Sequence, residues 1–189
     1  RYASSLGQKA SIGDEIDYRW LFKNNSPREI DSLIVIDVLP YDGDTAIVPC
    51  QSGEYKSRGS KFKTPLVSVD AHEKFDFYYS TDPVKLTTQE NANATWVTEV
   101  DDMSQETMIK AVLKEGQKIE IGEEVHIITH NFIENDNRIR DGEKAYNSFA
   151  LSLNNGNTFV EALKVEVQVT YPKRDVRLEK SDVNDPEHK

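Results

Sequence analysis

The chain has 189 residues, with 33 acidic and 23 basic side chains and a formal net charge of −10 at pH 7. This charge argues against a nucleic-acid-binding protein, which presents a basic face to phosphates. The single cysteine excludes an intrachain disulfide framework, and no apolar run approaches the length of a membrane-spanning helix. We therefore expect an acidic globular chain that does not insert into membranes.

Apolar and polar residues alternate along most of the chain, which is the pattern of half-buried β-strands. The alternation is clear at residues 16–22 and again at residues 163–169. Residues 33–39 form a nearly continuous apolar run, which is typical of a central strand covered on both faces. Further strands are predicted at residues 66–69, 75–79, 119–121, 125–128 and 149–153.

Residues 104–114 are the segment with a helical alternative, in which Ser104 would cap a helix that buries Met108 and Ala111. Residues 109–113 also fit a strand that ends at the glycine turn after Glu115, and we favour the strand. Many short strands with frequent turn signals predict an all-β sandwich. The polar stretches 43–62 and 82–94 predict long loop insertions into it.

His126 and His130 are four residues apart. In a strand this spacing separates them by about 13 Å, too far to share one zinc ion, so we expect surface or half-buried histidines. Cys50 precedes Gln51, and a cysteine beside a glutamine could suggest an internal thioester, but neighbouring side chains diverge in a strand. A catalytic cysteine would need a histidine base, and no sequence pattern supplies one. We expect an inert thiol. No phosphate loop, nucleophile elbow or paired-carboxylate signature is present, so the sequence does not predict an enzyme.

Acidic loops at residues 42–44, 101–102 and 135–143 hold the oxygen ligands that calcium prefers. None of them fits the twelve-residue calcium loop, and ordinary turn hydrogen bonding is the other interpretation. No cofactor is predicted, with calcium left open as an alternative.

Two aspartates lie inside predicted strands, where this residue is disfavoured. Asp17 lies opposite an apolar face and is expected to be solvated. Asp37 lies in the most apolar strand. Because a buried carboxylate needs a partner or a raised pKa, Asp37 is predicted to pair with a lysine or arginine or to lie at a strand end.

Three ordered segments carry a family resemblance. Residues 13–25 (GDEIDYRWLFKNN) resemble the opening G-D-x-V-x-Y…N of the conserved repeat domains in surface proteins of Gram-positive bacteria. Residues 36–44 (IDVLPYDGD) resemble the D-x-L-P-Y-x-G-D strand end of those domains, and residues 146–150 (YNSFA) resemble the start of their closing strand pair. The resemblance spans about residues 12–171 and implies an Ig-like β-sandwich.

The same resemblance implies how the chain is organised and where it works. Residues 1–172 would form one Ig-like β-sandwich module with long loop insertions, and residues 173–189 a linker or leader to a following module. The function implied is that of a non-catalytic adhesin or stalk domain, extracellular and attached to the cell wall. Its partners would be neighbouring modules of the same polypeptide and a host protein or glycan, without nucleic acid or membrane insertion.

Some related modules lock themselves with a Lys–Asn isopeptide bond promoted by a buried acid. The resemblance places Asn147 as the amide acceptor and Asp37 as the acid, which would shuttle the proton. The lysine is the difficulty, because residues 2–6 (YASSL) contain none. Lys9 and Lys23 are the nearest substitutes.

A carbohydrate-binding β-sandwich module is the alternative function. Aromatic side chains exposed on a sandwich can stack on sugar rings, and four are candidates: Trp20, Tyr78, Tyr79 and Trp96. The other interpretation is that these rings pack in the core.

Overall fold

In the computed structural model of the protein, residues 7–171 are described. This part of the chain forms eleven strands, one short helix and one 3-10 turn at Met103–Gln105. The strands are β1 (Gln8–Ala10), β2 (Glu15–Lys23), β3 (Ile34–Val38), β4 (Leu66–Asp70), β5 (Phe75–Ser80), β6 (Met108–Leu113), β7 (Glu124–Phe132), β8 (Lys144–Asn147), β9 (Phe149–Ser152), β10 (Val160–Glu161) and β11 (Val165–Val169). Helix α1 is Thr88–Ala92.

The strands are arranged in three sheets. The large sheet has five strands in the order β10-β9-β3-β6-β5, and two smaller sheets have the orders β2-β7-β4 and β1-β11-β8. Within the described chain, β1 and β11 pair in parallel and the other strand pairs are antiparallel. The prediction of an all-β sandwich with long loop insertions is confirmed.

The main hydrophobic core lies between the large sheet and the β2-β7-β4 sheet. Alternation along β2 and β7 turns one row of side chains inward, as the two-residue period predicts. The core combines these rows with the facing side chains of β3, β4, β5 and β6; its members include Trp20, Phe22, Val35, Leu66, Phe75, Ile109, Val125 and Ile127.

Strand β3 is buried on both faces, which confirms the interpretation of its continuous apolar run. Its second face presents Ile36 and Val38 to another cluster that includes Ile47 and Phe159. Side chains from the two long insertions, among them Ile47 and the half-buried Ala92, cover this face. The insertions therefore complete the burial of the central strand.

Strands β8 and β9 are separated by Ser148 alone, and they belong to different sheets. β8 pairs with β11, whereas β9 pairs with β3, so the chain crosses from a small sheet to the large one at this residue. A third cluster, which includes Tyr18, Ala145 and Val167, fills the space under the β1-β11-β8 sheet.

Two local predictions need correction or refinement. The strand predicted at residues 119–121 is wrong: Ile119 makes an isolated bridge to Ile30, and Ile121 is 61% exposed just before the turn at Gly122. The segment 104–114 is a strand from Met108, as favoured. Asp102 caps the preceding 3-10 turn by accepting the Ser104 N–H, so Ser104 is not the cap.

The predicted linker at residues 173–189 lies outside the described residues, and the division at residue 172 stays a prediction. Within residues 7–171, no helix has the length and apolar character that a bilayer crossing requires.

Candidate functional site

The carboxyl group of Asp37 connects all three sheets. Trp20 Nε1, on β2, donates to Asp37 Oδ2 over 2.9 Å, and Asn147 Nδ2, on β8, donates to the same oxygen over 3.0 Å. Asp37 itself lies on β3 and is fully buried. The acid and the amide that the resemblance singled out are therefore in direct contact at the point where the sheets meet.

Burial raises the pKa of Asp37 to about 6, although the hydrogen bond from Asn147, the positive charge of Arg58 and the hydrogen bond from Trp20 all lower it. The described hydrogen-bond partners are neutral, and Arg58 acts on Asp37 through its charge, so the structure favours the second of the two predicted alternatives. Asp37 is the second-last residue of β3, which agrees with the strand-end alternative.

Two oxygens of this acid–amide pair have no hydrogen-bond donor. Asp37 Oδ1 and Asn147 Oδ1 are both buried, and residues 7–171 offer neither of them a donor. A protonated Asp37 Oδ1 would be a donor and would no longer be a buried negative charge without a donor. The neutral carboxyl group agrees with the raised pKa of Asp37.

An isopeptide bond also needs a buried, neutral amine, and no lysine between residues 7 and 171 is buried. Lys9 is exposed on β1, and Lys23 Nζ lies 2.8 Å from Glu124 Oε1 on the polar side of β2. The described chain thus assembles the acid and the amide without a buried lysine, and the intact mass of the protein tests whether the cross-link forms.

A buried ion pair that the sequence did not indicate lies next to Asp37. Arg58 Nε is 3.1 Å from Asp44 Oδ2, and both side chains are almost completely buried. Arg58 Nη2 donates to the Val38 carbonyl over 2.9 Å, and Ser60 Oγ donates to Asp44 Oδ2 over 2.7 Å. The first long insertion is therefore fastened to the end of β3.

Glu161 on β10 extends this polar network. It accepts a hydrogen bond from Ser148 Oγ over 2.6 Å, and its other oxygen accepts the backbone N–H groups of Ile47 and Val48, each over 3.0 Å. Ser148 in turn faces Arg58 Nη1 at 3.3 Å. The groups of the network bind each other and the backbone, which is a stabilising arrangement.

The histidines are partly exposed, as predicted. His130 Nδ1 is 2.8 Å from Asp17 Oδ1, and its Nε2 is 3.3 Å from Asp70 Oδ2. The hydrogen bonds to Asp17 and Asp70 raise the pKa of His130 above its usual range. Within residues 7–171 no group of three histidine, cysteine or acidic side chains is placed to hold a metal ion.

Carboxylates of the three acidic loops are engaged by protein donors. Asp44 is bound by Arg58, Asp102 accepts the Ser104 N–H, and Arg138 binds both oxygens of Asp136. Calcium would have to displace these donors, so the geometry supports the interpretation as turn chemistry and internal pairing.

Cys50 lies in a turn of the first insertion, and its side chain contacts a hydroxyl group. Its Sγ is 3.0 Å from Ser52 Oγ, and this contact lowers the pKa of the thiol. The contact is with the residue two positions along and not with Gln51. It gives the thiol no described histidine partner.

The four aromatic candidates for sugar stacking fall into two groups. Trp20 and Tyr79 are buried in the core, which corrects their interpretation as stacking platforms. Trp96 and Tyr78 are half-buried, and Lys110 Nζ lies 4.4 Å and 5.0 Å from their ring centroids. A lysine therefore covers one face of each remaining ring.

No protein-family model matches the chain, and no curated protein matches it. Among solved structures, the chain is similar to the N-terminal domain of the Streptococcus gordonii adhesin Sgo0707, at 9% sequence identity and a TM-score of 0.44. It is also similar to a family 123 glycoside hydrolase from Clostridium perfringens, at 11% identity and a TM-score of 0.36. Each match covers 87% of this chain, which spans 31% of the adhesin chain and 22% of the hydrolase chain. Similarity at this level carries no functional argument.

Proposed function

We propose that this protein is a non-catalytic module of a bacterial cell-surface protein and acts as a stalk or adhesin domain among similar modules. The observation that carries the proposal is the parallel pairing of the first and last described strands. Gln8 lies opposite Val167, and Ala10 lies opposite Val169. The chain therefore enters β1 at one end of this strand pair and leaves β11 at the other.

This arrangement suits a domain that is pulled by its neighbours. Tension between the entry of β1 and the exit of β11 acts along the parallel strands, so their hydrogen bonds are loaded together in shear. Antiparallel terminal strands would leave on the same side and would open one bond at a time. A module in a string has to resist this end-to-end load.

The roles of the motif residues also support the proposal. Asp37 joins the three sheets, Asn147 donates to it, and Asp44 binds the buried Arg58. In each case the residue that carries the resemblance stabilises the sandwich. Motif residues that stabilise the sandwich fit a mechanical role better than a catalytic one.

Surface location can be tested by brief trypsin treatment of intact cells that produce the full protein. We expect peptides from residues 7–171 in the supernatant before lysis, with a cytosolic protein as the control that stays inside. Release of these peptides only after lysis would contradict the proposal.

A glycan array distinguishes the proposed module from the carbohydrate-binding alternative. It compares glycan binding by the wild-type protein with binding by the Trp96→Ala variant. We expect no binding that depends on Trp96, because Lys110 covers one face of the ring. Glycan binding that this variant loses would favour the alternative.

A further inference from the structure

A small cleft opens beside the segment that resembles the D-x-L-P-Y motif. Three pieces of chain line it: residues 39–41 after β3, residues 63–65 before β4, and residues 104–107 before β6. Its volume is about 110 Å³. This is room for several water molecules or for the end of one long side chain.

Glu106 lines the cleft and lacks a partner. The residue is only 7% exposed, and in the described part of the chain no donor reaches its enclosed Oε2. Burial, followed by repulsion from Asp102, raises the pKa of this carboxyl group. A buried carboxylate without a donor is costly, and a charged donor entering the cleft would offset that cost.

The polar neighbours of Glu106 do not supply that donor. Ser104 Oγ and Gln105 Nε2 donate to Asp102, and Thr107 Oγ1 donates to the carbonyls of Ser80 and Asp82. Within the described residues these donors are engaged elsewhere, whereas Glu106 lines the cleft and its Oε2 has no donor.

The rest of the lining suits an aliphatic stem that ends in a positive charge. Leu39, Pro40 and Pro65 provide apolar walls, and the half-buried Tyr41 provides an aromatic one. Lys63 also lines the cleft, and it is exposed. The chain as a whole carries a net charge of −10, which favours a positively charged ligand. Methylene groups would pack on the walls while the charged head reaches Glu106.

We propose that this cleft binds a basic side chain of a polypeptide partner, arginine in preference to lysine, and that Glu106 accepts its N–H groups. Arginine is preferred because its planar guanidinium can donate two parallel hydrogen bonds to a carboxylate and is more weakly hydrated than an ammonium group. This goes beyond the proposed function, since the load-bearing arrangement of β1 and β11 names no ligand. A failure here leaves the mechanical role untouched.

The test titrates the ¹⁵N-labelled full chain with N-acetyl-arginine methylamide and follows its amide signals by NMR. The matched control ligand is N-acetyl-citrulline methylamide, which has the same shape without the charge. We expect the arginine probe to shift the amides of residues 104–107 and 64, and the citrulline probe to bind at least about tenfold more weakly because it lacks charge-assisted hydrogen bonds. N-acetyl-lysine methylamide should fall between them.

The variant Glu106→Gln keeps the size of the side chain and removes its charge, so it should weaken binding of the arginine probe by at least about tenfold. Glu115→Gln, at an exposed turn, should bind like wild type. The proposal is overturned if citrulline shifts the same amides equally, if Glu106→Gln still binds, or if no probe shifts them. It is also overturned if methyl pyranosides shift these amides and the arginine probe does not. The comparison of the two ligands on wild type decides the case even if the variant fails to fold.

Discussion

At the scale of single residues, the carboxyl group of Asp37 makes this fold sensitive to pH. Burial raises its pKa to about 6, so the folded chain holds a proton that the unfolded chain releases near pH 4. Below pH 4 the Asp37 carboxyl group therefore makes its full contribution to the free energy of unfolding. The contribution is lost as pH rises toward and past 6, and the loss amounts to about 3 kcal/mol.

The substitution Asp37→Asn should remove this pH dependence. Asparagine cannot ionise, and its amide oxygen can still accept the hydrogen bonds from Trp20 Nε1 and Asn147 Nδ2. We expect the variant to gain stability relative to wild type as pH rises from 4 to 8, by up to about 3 kcal/mol. Urea denaturation at each pH measures the difference. A constant difference across this range would show that Asp37 does not titrate on folding.

Mass spectrometry decides whether Asn147 is cross-linked. Formation of a Lys–Asn isopeptide bond releases ammonia and lowers the intact mass by about 17 Da. Because no lysine between residues 7 and 171 is buried, we expect the intact mass of the purified chain to equal the mass of its sequence. A deficit of that size, abolished by Asn147→Ala, would contradict this expectation and establish the bond.

These residues differ in how far the sequence could predict them. Asp37 was conspicuous because aspartate is rare inside an apolar strand, and Asn147 was found through the resemblance. No sequence signal marks Arg58, which lies in the polar insertion, or Glu106, which precedes the apolar part of residues 104–114. Their burial results from segments distant in the chain that close over them, and a local pattern does not encode that closure.

At the scale of elements, the first long insertion is held in place by buried charge. Arg58 and Asp44 pair across it, and Arg58 also binds the carbonyl at the end of β3. Its two ends are thereby fixed to the large sheet, and its apolar residue Ile47 is held against the second face of β3. The element behaves as part of the core and not as a surface loop.

Arg58→Met should therefore be severely destabilising. Removing one partner of a buried ion pair leaves the other charge unpaired, and we expect a loss of about 3–5 kcal/mol in the free energy of unfolding. Lys61→Met is the control, because Lys61 forms an exposed pair with Asp42 and should cost less than about 1 kcal/mol. Urea denaturation of both variants at pH 7 makes the comparison.

A double variant separates charge from packing in this result. In Arg58→Met with Asp44→Asn, the unpaired carboxylate is gone and the asparagine oxygen can still accept from Ser60. We expect part of the lost stability to return. If Arg58→Met unfolds like the Lys61→Met control, the buried ion pair does not hold the insertion.

The strands were predictable to the extent that they are long and alternate. β2, β3, β5 and β6 were recognised from period and composition. β1 and β10 are too short to show a two-residue alternation, and β8 lies in a polar stretch without a clear alternation. Residues 119–121 alternate like a strand, but no neighbour pairs with the segment beyond Ile119, and pairing is a property of the whole fold.

At the scale of the whole molecule, Asp37 joins the three sheets, and the first and last strands of the described residues pair in parallel. The hydrogen bond from Asn147 to Asp37 links the β1-β11-β8 sheet to the large sheet, so force on β11 is passed to the core. The direction of loading should then decide how strongly the module resists, because shear strains many bonds at once while peeling strains them singly.

Single-molecule pulling tests this central claim most directly, since forced unfolding reports the unfolding rate under load. In a Cys50→Ser background, handles at the two chain termini load β1 and β11 in shear. Handles at Arg140→Cys and the C-terminus load the same end of the antiparallel β8–β11 pair and peel it. We predict a clearly higher unfolding force for the terminal handles than for the peeling pair. Equal forces, or a lower force between the termini, would contradict a stalk function.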